Sequence, residues 1–109
     1  MKRYCLALDL KEEEALIAEY ERLHTQVNPA IISSIVKTGI TAMDIYRTGN
    51  RLFMIMETND DFSFEVKNAM DAANPVVQEW EKQVWKYQLA LPDAKPGEKW
   101  LVMKKIFEL

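Results

Sequence analysis

The chain holds one histidine, His24, four positions after Tyr20 in the stretch EYERLHTQVNP. Side chains at i and i+4 share one face of a helix, so this imidazole and this phenol reach a common ligand. An unperturbed imidazole titrates near ~6.5, so it gives and takes a proton at neutral pH without a cofactor. The phenol hydroxyl can share in that relay or donate a hydrogen bond. Plainer roles compete: a histidine near a helix end is commonly just solvated.

Other chemistries lack their residues. One His and one Cys do not make a metal-ligand set. Three glycines, none spaced as G-x-G-x-x-G or placed before Lys-Ser/Thr, give no phosphate loop. No Ser-His-Asp order surrounds a nucleophile elbow. Hydride, phosphoryl and acyl transfer are therefore disfavoured, which leaves proton transfer and aromatic binding. Trp80, Trp85 and Tyr87 supply flat apolar surface suited to stacking on a sugar ring, although tryptophans on a helix more often serve a core or an interface. Asp60-Asp61 and Glu12 to Glu14 read as helix-start charges, Glu57 as a solvated carboxylate and Cys5 as inert packing.

These residues need a frame, and the periodicity supplies one. YCLALDL (4–10) alternates as a strand, with Tyr4, Leu6, Leu8 and Leu10 on one side. KEEEALIAEYERLHTQV (11–27) shifts to a helical period, with Asp9 or Lys11 marking its start. Asn28-Pro29 breaks that helix and AIISSIVKTG (30–39) resumes it, with Gly39 suited to the C-cap. ITAMDIYRT and RLFMIMETN are β-rich runs joined by Gly49-Asn50, a hairpin signal. A second helical region, broken at Asn74-Pro75, runs to about Tyr87. LPDAKPGEK is a loop and WLVMKKIFEL a final strand. The order βαββαβ predicts an α+β, ferredoxin-like fold: an antiparallel sheet with helices on one face. Both faces of the strands look apolar, and two helices cover only one. A second sheet from a symmetric copy of the chain is the simplest cover, so a homodimer is expected; a monomer with a small cavity is the alternative.

The 109 residues fit a single domain, 1–109, with 49% apolar and 28% charged residues. A net charge of −3 with scattered Lys and Arg argues against nucleic-acid binding. The lone cysteine suits a reducing compartment. MKRYCLALDLKEEE is interrupted by Asp9 and Lys11 and lacks a cleavage site, so it does not read as a signal peptide. No run approaches the ~20 apolar residues of a membrane span. A cytoplasmic protein without membrane contact is expected.

Y-x-x-x-H at Tyr20 and His24, Pro29 five positions on, GITAMDIY (39–46) and WKY (85–87) together resemble the L-rhamnose mutarotase family over nearly the whole chain. The tail AKPGEKWLVMKKIFEL is more similar to a branch linked with L-fucose. The resemblance implies a dimeric α+β barrel that interconverts the anomers of a 6-deoxy-L-sugar with no cofactor. It implies His24 as the proton donor, Tyr20 as a sugar-binding residue and Trp85 as one of a tryptophan pair lining the site. The chain departs from the pattern at Val84, the place of the other tryptophan, at Asn28, where many relatives carry Trp, and at Met43, where the rhamnose branch has a sugar-contacting Tyr. Two other functions fit such a fold: a cofactor-free monooxygenase, and a non-catalytic dimer that binds a small molecule.

Overall fold

The computed structural model describes all 109 residues. Five strands and four helices follow the chain as β1 (Lys2–Leu10), α1 (Glu14–Leu23), α2 (Pro29–Lys37), β2 (Ile40–Thr48), β3 (Arg51–Thr58), α3 (Phe64–Ala72), α4 (Pro75–Trp85), β4 (Gln88–Leu89) and β5 (Leu101–Val102). The sheet is antiparallel in the order β2-β3-β1-β4, and β5 shares the β1 edge with β4. This is the expected α+β arrangement, with each crossover split into two helices.

Alternation along β3 decides which face is covered. Leu52, Met54, Met56 and Thr58 are buried, while Phe53, Ile55 and Glu57 are only half-buried. Leu6 of β1 stands opposite Met54, and Leu8 opposite Leu52, so the helices pack on that side. The other face carries Ala7, Phe53, Ile55 and Leu101, and no layer of the chain covers it.

The two Asn-Pro breaks are helix starts. Asn28 Oδ1 accepts from the Ala30 N–H at 2.9 Å, and Asn74 Oδ1 accepts from Val76 N–H at 3.0 Å and Val77 N–H at 3.4 Å. Each proline follows at a first-turn position, where its missing N–H costs nothing. The start of α1 differs from the expectation: Glu13 occupies its cap position without a side-chain bond.

The C-terminal strand is the larger difference. Only Leu101 and Val102 are strand, with Met103 N–H still donating to the Cys5 carbonyl at 2.7 Å. Continuing that register would set Lys105 against Arg3, and like charges directly opposite are destabilising. Gln88–Leu89, expected at the end of the helical region, takes the rest of the edge beside Asp9 and Leu10. Residues 103–109 form no helix or strand, and Ile106 and Phe107 are 89% and 76% exposed. No helix is long and apolar enough to cross a membrane.

Two apolar clusters fill the space between sheet and helices. One gathers Leu6, Ile40, Met54, Met56 and Phe62. The other gathers Leu10, Tyr20, Leu52 and Val84, with Trp80 and Tyr87 packed against it, and Trp100 packs on both. The second cluster carries the residues with chemistry.

Candidate active site

Tyr20 lies in the last turn of α1 and projects onto the sheet, where it is buried at 4% exposure. A buried phenol requires a partner for its hydroxyl. Gln88 provides it, donating from Nε2 to Tyr20 Oη at 3.2 Å. Strand alternation explains how: Gln88 pairs with Leu10 and is buried on the helix side, while its neighbour Leu89 is exposed. Burial pushes the Tyr20 phenol above its usual range, and the Gln88 bond offsets this only in part. At neutral pH Tyr20 is therefore a hydrogen-bond donor rather than a base.

His24 follows α1 directly and caps it. Its Nδ1 lies 2.8 Å from the carbonyl oxygen of Tyr20, one of the last four carbonyls that a helix leaves free. A carbonyl only accepts, so Nδ1 carries the proton in this contact. That assignment leaves Nε2 as the working nitrogen, an acceptor in the neutral ring and a donor in the charged one. The ring is also held on two sides. Tyr20 lies at 4.5 Å between centroids, and Trp80 meets it edge-on at 5.4 Å.

Trp80 meets the His24 ring and also borders a groove whose wall includes neither Tyr20 nor His24. The groove, of about 500 Å³, lies between the end of α1, the start of α2 and α4, and Leu23, Asn28, Ile31, Val76 and Glu79 line it with Trp80. That volume falls within the range of small-molecule sites. Asn28 thus both caps α2 and forms part of the groove wall.

The structure brings Tyr20 and His24 into contact, as their spacing predicts. It sets Trp85 elsewhere: 38% exposed, with the Lys99 ammonium 5.2 Å from its ring centroid, on a separate cleft formed with residues of the 90–99 loop. No ring contact joins it to His24; the tryptophan in that place is Trp80. Spacing alone did not separate the two tryptophans, because Val77, Trp80, Val84 and Trp85 sit at i, i+3, i+7 and i+8 and all fall on one apolar stripe. Val84 is buried beneath Tyr20 in the second cluster, and Met43 packs against the first, away from the pair. Gln88 is the polar residue that sequence reasoning missed. No three His, Cys, Asp or Glu side chains gather to hold a metal ion.

The L-rhamnose mutarotase family model matches residues 3–109. An L-fucose mutarotase of Xanthomonas campestris pv. campestris is 43% identical, the alignment covering 100% of this chain and 89% of that protein. A UPF0734 protein of Dictyostelium discoideum is 30% identical over 99% of this chain and 90% of its own. Among solved structures, an L-rhamnose mutarotase from Formosa agariphila superposes with a TM-score of 0.73 at 18% identity, covering 100% of this chain and 99% of that one. The tetracenomycin F2 cyclase of Streptomyces glaucescens, a type-II polyketide cyclase, does so at 0.62 and 13%, with the same coverage. These two likenesses are of fold, and the second shows that the fold hosts other chemistry.

Proposed function

The chain belongs to the L-rhamnose mutarotase family, and from that premise we propose that it interconverts the α and β anomers of a 6-deoxy-L-sugar by general acid–base catalysis at His24. L-fucose is the first candidate, since the 43% identical relative is an L-fucose mutarotase, and L-rhamnose the second.

The observation that carries this reading is the fixed His24 ring, with Nδ1 committed to the Tyr20 carbonyl and Nε2 left for a substrate. A base removes the proton of the anomeric hydroxyl while His24 protonates the ring oxygen. The C1–O5 bond breaks, the open-chain aldehyde rotates about C1–C2, and the reverse steps close the other anomer. No electrons leave the sugar and no group is transferred, so the cycle consumes nothing. Tyr20, kept neutral by burial, donates a hydrogen bond to the sugar, and a water is the partner base. The stacking surface is Trp80, which touches His24, rather than Trp85 on the neighbouring cleft.

A second copy of the chain covers the bare sheet face in this reading, giving a homodimer. The half-buried Phe53, Ile55 and Leu101, with the exposed Ile106 and Phe107, support it. One free cysteine, Cys5, fits the cytoplasm. The protein works without nucleic acid or membrane.

The test is anomer exchange by NMR magnetisation transfer on L-fucose, L-rhamnose and D-glucose. Wild type should accelerate exchange of one deoxy sugar, and folded His24→Ala should lose roughly 10²–10⁴-fold. Full activity in that variant would remove His24 from the mechanism. Oxygen consumption with a quinol substrate, and no effect on anomers, would favour the monooxygenase alternative.

A further inference from the structure

Two lysines of the chain are half-buried rather than exposed, Lys67 and Lys99. The Lys67 ammonium is paired with the Asp71 carboxylate one turn along α3. The Lys99 ammonium pairs with no carboxylate, and its neighbour is the Trp85 ring, 5.2 Å from nitrogen to centroid. A partly desolvated cation without an anion is costly. An aromatic face recovers only a fraction of what a charged oxygen acceptor would.

This pair lies on the cleft of about 450 Å³ between the end of α4 and the 90–99 loop, and no residue of that cleft belongs to the Trp80 groove. Its walls combine the half-exposed Trp85 ring with Ala90, Ala94 and Pro96, and with two lysines, Lys95 and Lys99. The loop keeps its shape by a tight turn. Pro96 and Gly97 occupy the two central positions, Glu98 N–H donates to the Lys95 carbonyl at 3.0 Å, and Gly97 takes a φ of +87° that favours glycine. The one acid on the cleft, Glu98, accepts from the Lys95 N–H at 2.7 Å, so its carboxylate serves the turn and not Lys99.

In a chain of net charge −3, a cleft with two lysines and one committed carboxylate reverses the local sign. An uncharged sugar gains nothing from that charge. A phosphate does, because lysine binds it as a point charge, and the aromatic wall offers a surface for the ring that carries it. We propose that this cleft is a second ligand site, separate from His24, which takes a small phosphate monoester on a ring: the phosphate at Lys99 and Lys95, the ring against Trp85. Sugar phosphates and aryl phosphates share that chemistry. The site goes beyond the mutarotase reading, and its test reads binding without turnover, so the two stand or fall independently.

Calorimetric titrations with L-fucose 1-phosphate, phenyl phosphate, inorganic phosphate and L-fucose are compared in wild type, Lys99→Gln, Lys99→Arg, Trp85→Leu and His24→Ala, with melting midpoints and anomer exchange alongside. Wild type should bind one of the ring phosphates roughly three- to ten-fold more tightly than inorganic phosphate, the share that stacking adds. Which of the two it binds names the source. Lys99→Gln should weaken that binding about ten-fold, whereas Lys99→Arg keeps the charge and should stay within a few-fold of wild type. Trp85→Leu should remove the advantage over inorganic phosphate. Raising salt from about 0.05 M to about 0.5 M should weaken binding in wild type more than in Lys99→Gln. His24→Ala should bind the ring phosphate as wild type does, and Lys99→Gln should leave anomer exchange unchanged.

Equal affinity for the ring phosphate in wild type and Lys99→Gln overturns the proposal, as does binding that His24→Ala abolishes. Absence of binding to either ring phosphate overturns it too, and a lower melting midpoint in Lys99→Gln would then mark Lys99 and Trp85 as a structural cation–π pair.

Discussion

The catalytic apparatus we propose is economical: one imidazole, aimed by a backbone carbonyl, beside one buried phenol. Because Trp80 touches His24 and Trp85 does not, truncating each gives different results. Stacking on an aromatic ring is worth about 0.5–1.5 kcal/mol, so Trp80→Ala should weaken sugar binding by roughly three- to ten-fold, and Trp85→Ala should leave it near wild type. Calorimetric titration checks both, and the opposite order would move the sugar to the Trp85 cleft. Tyr20 makes a second prediction. Its folded-state pKa is raised, by burial above all, so below the ordinary tyrosine range both folded and unfolded forms are neutral and its contribution is fully present. As pH rises past about 10, the unfolded chain sheds the proton first, and stability falls until the folded form ionises as well. Urea midpoints from pH 8 to 11 should drop in wild type, and the drop should shrink in Tyr20→Phe. At this scale the sequence was readable where spacing alone decides, as with Tyr20 and His24. It was unreadable at Gln88, because β4 is two residues long and shows no alternation until its pairing with Leu10 is known.

Helix α4 holds Trp80 in place, and its first turn depends on Asn74. That side chain accepts two of the backbone N–H groups that a helix start leaves free. Asn74→Ala should cost about 1 kcal/mol, lowering the melting midpoint by roughly 4–8 °C in a domain of this size. A calorimetric scan measures it, and an unchanged midpoint would mean that the proline alone starts the helix. Both Asn-Pro breaks and the Gly49-Asn50 hairpin were legible because they are local signals: a fixed φ, a short side chain that bonds nearby backbone, a tight turn. The last strand was misjudged for a non-local reason. WLVMKKIFEL has the alternation of a strand, but strands need an edge, and β1 divides its free edge between β4 and β5. The charge of Arg3 then opposes any extension past Met103, a fact that only the register reveals.

The whole molecule shows one unbalanced feature, a sheet with helices on a single side. Antiparallel sheets tolerate this when the bare face is polar, and here it presents Phe53, Ile55 and Leu101 at half burial. The tail adds Ile106 and Phe107, nearly free of contact in a single chain. Burying each fully would stabilise the protein by about 1.5–3 kcal/mol, a gain that a lone chain of this fold leaves unused. In the proposed dimer, a symmetric copy placed face to face would cover Phe53 and Ile55 with its own sheet. The apolar pattern on both strand faces already pointed this way in the sequence, although which residues face outward needed the register. Sedimentation velocity should therefore give about 25 kDa, twice the 12.7 kDa chain. Ile55→Asp places a charge in the middle of the covered face without disturbing the helix-side core, so it should sediment as a folded monomer with the helical circular dichroism of wild type. A wild-type protein that sediments as a monomer would overturn the dimer. The bare face would then have to open onto solvent, and the site at Tyr20 and His24, on the opposite side of the sheet, would work within one chain.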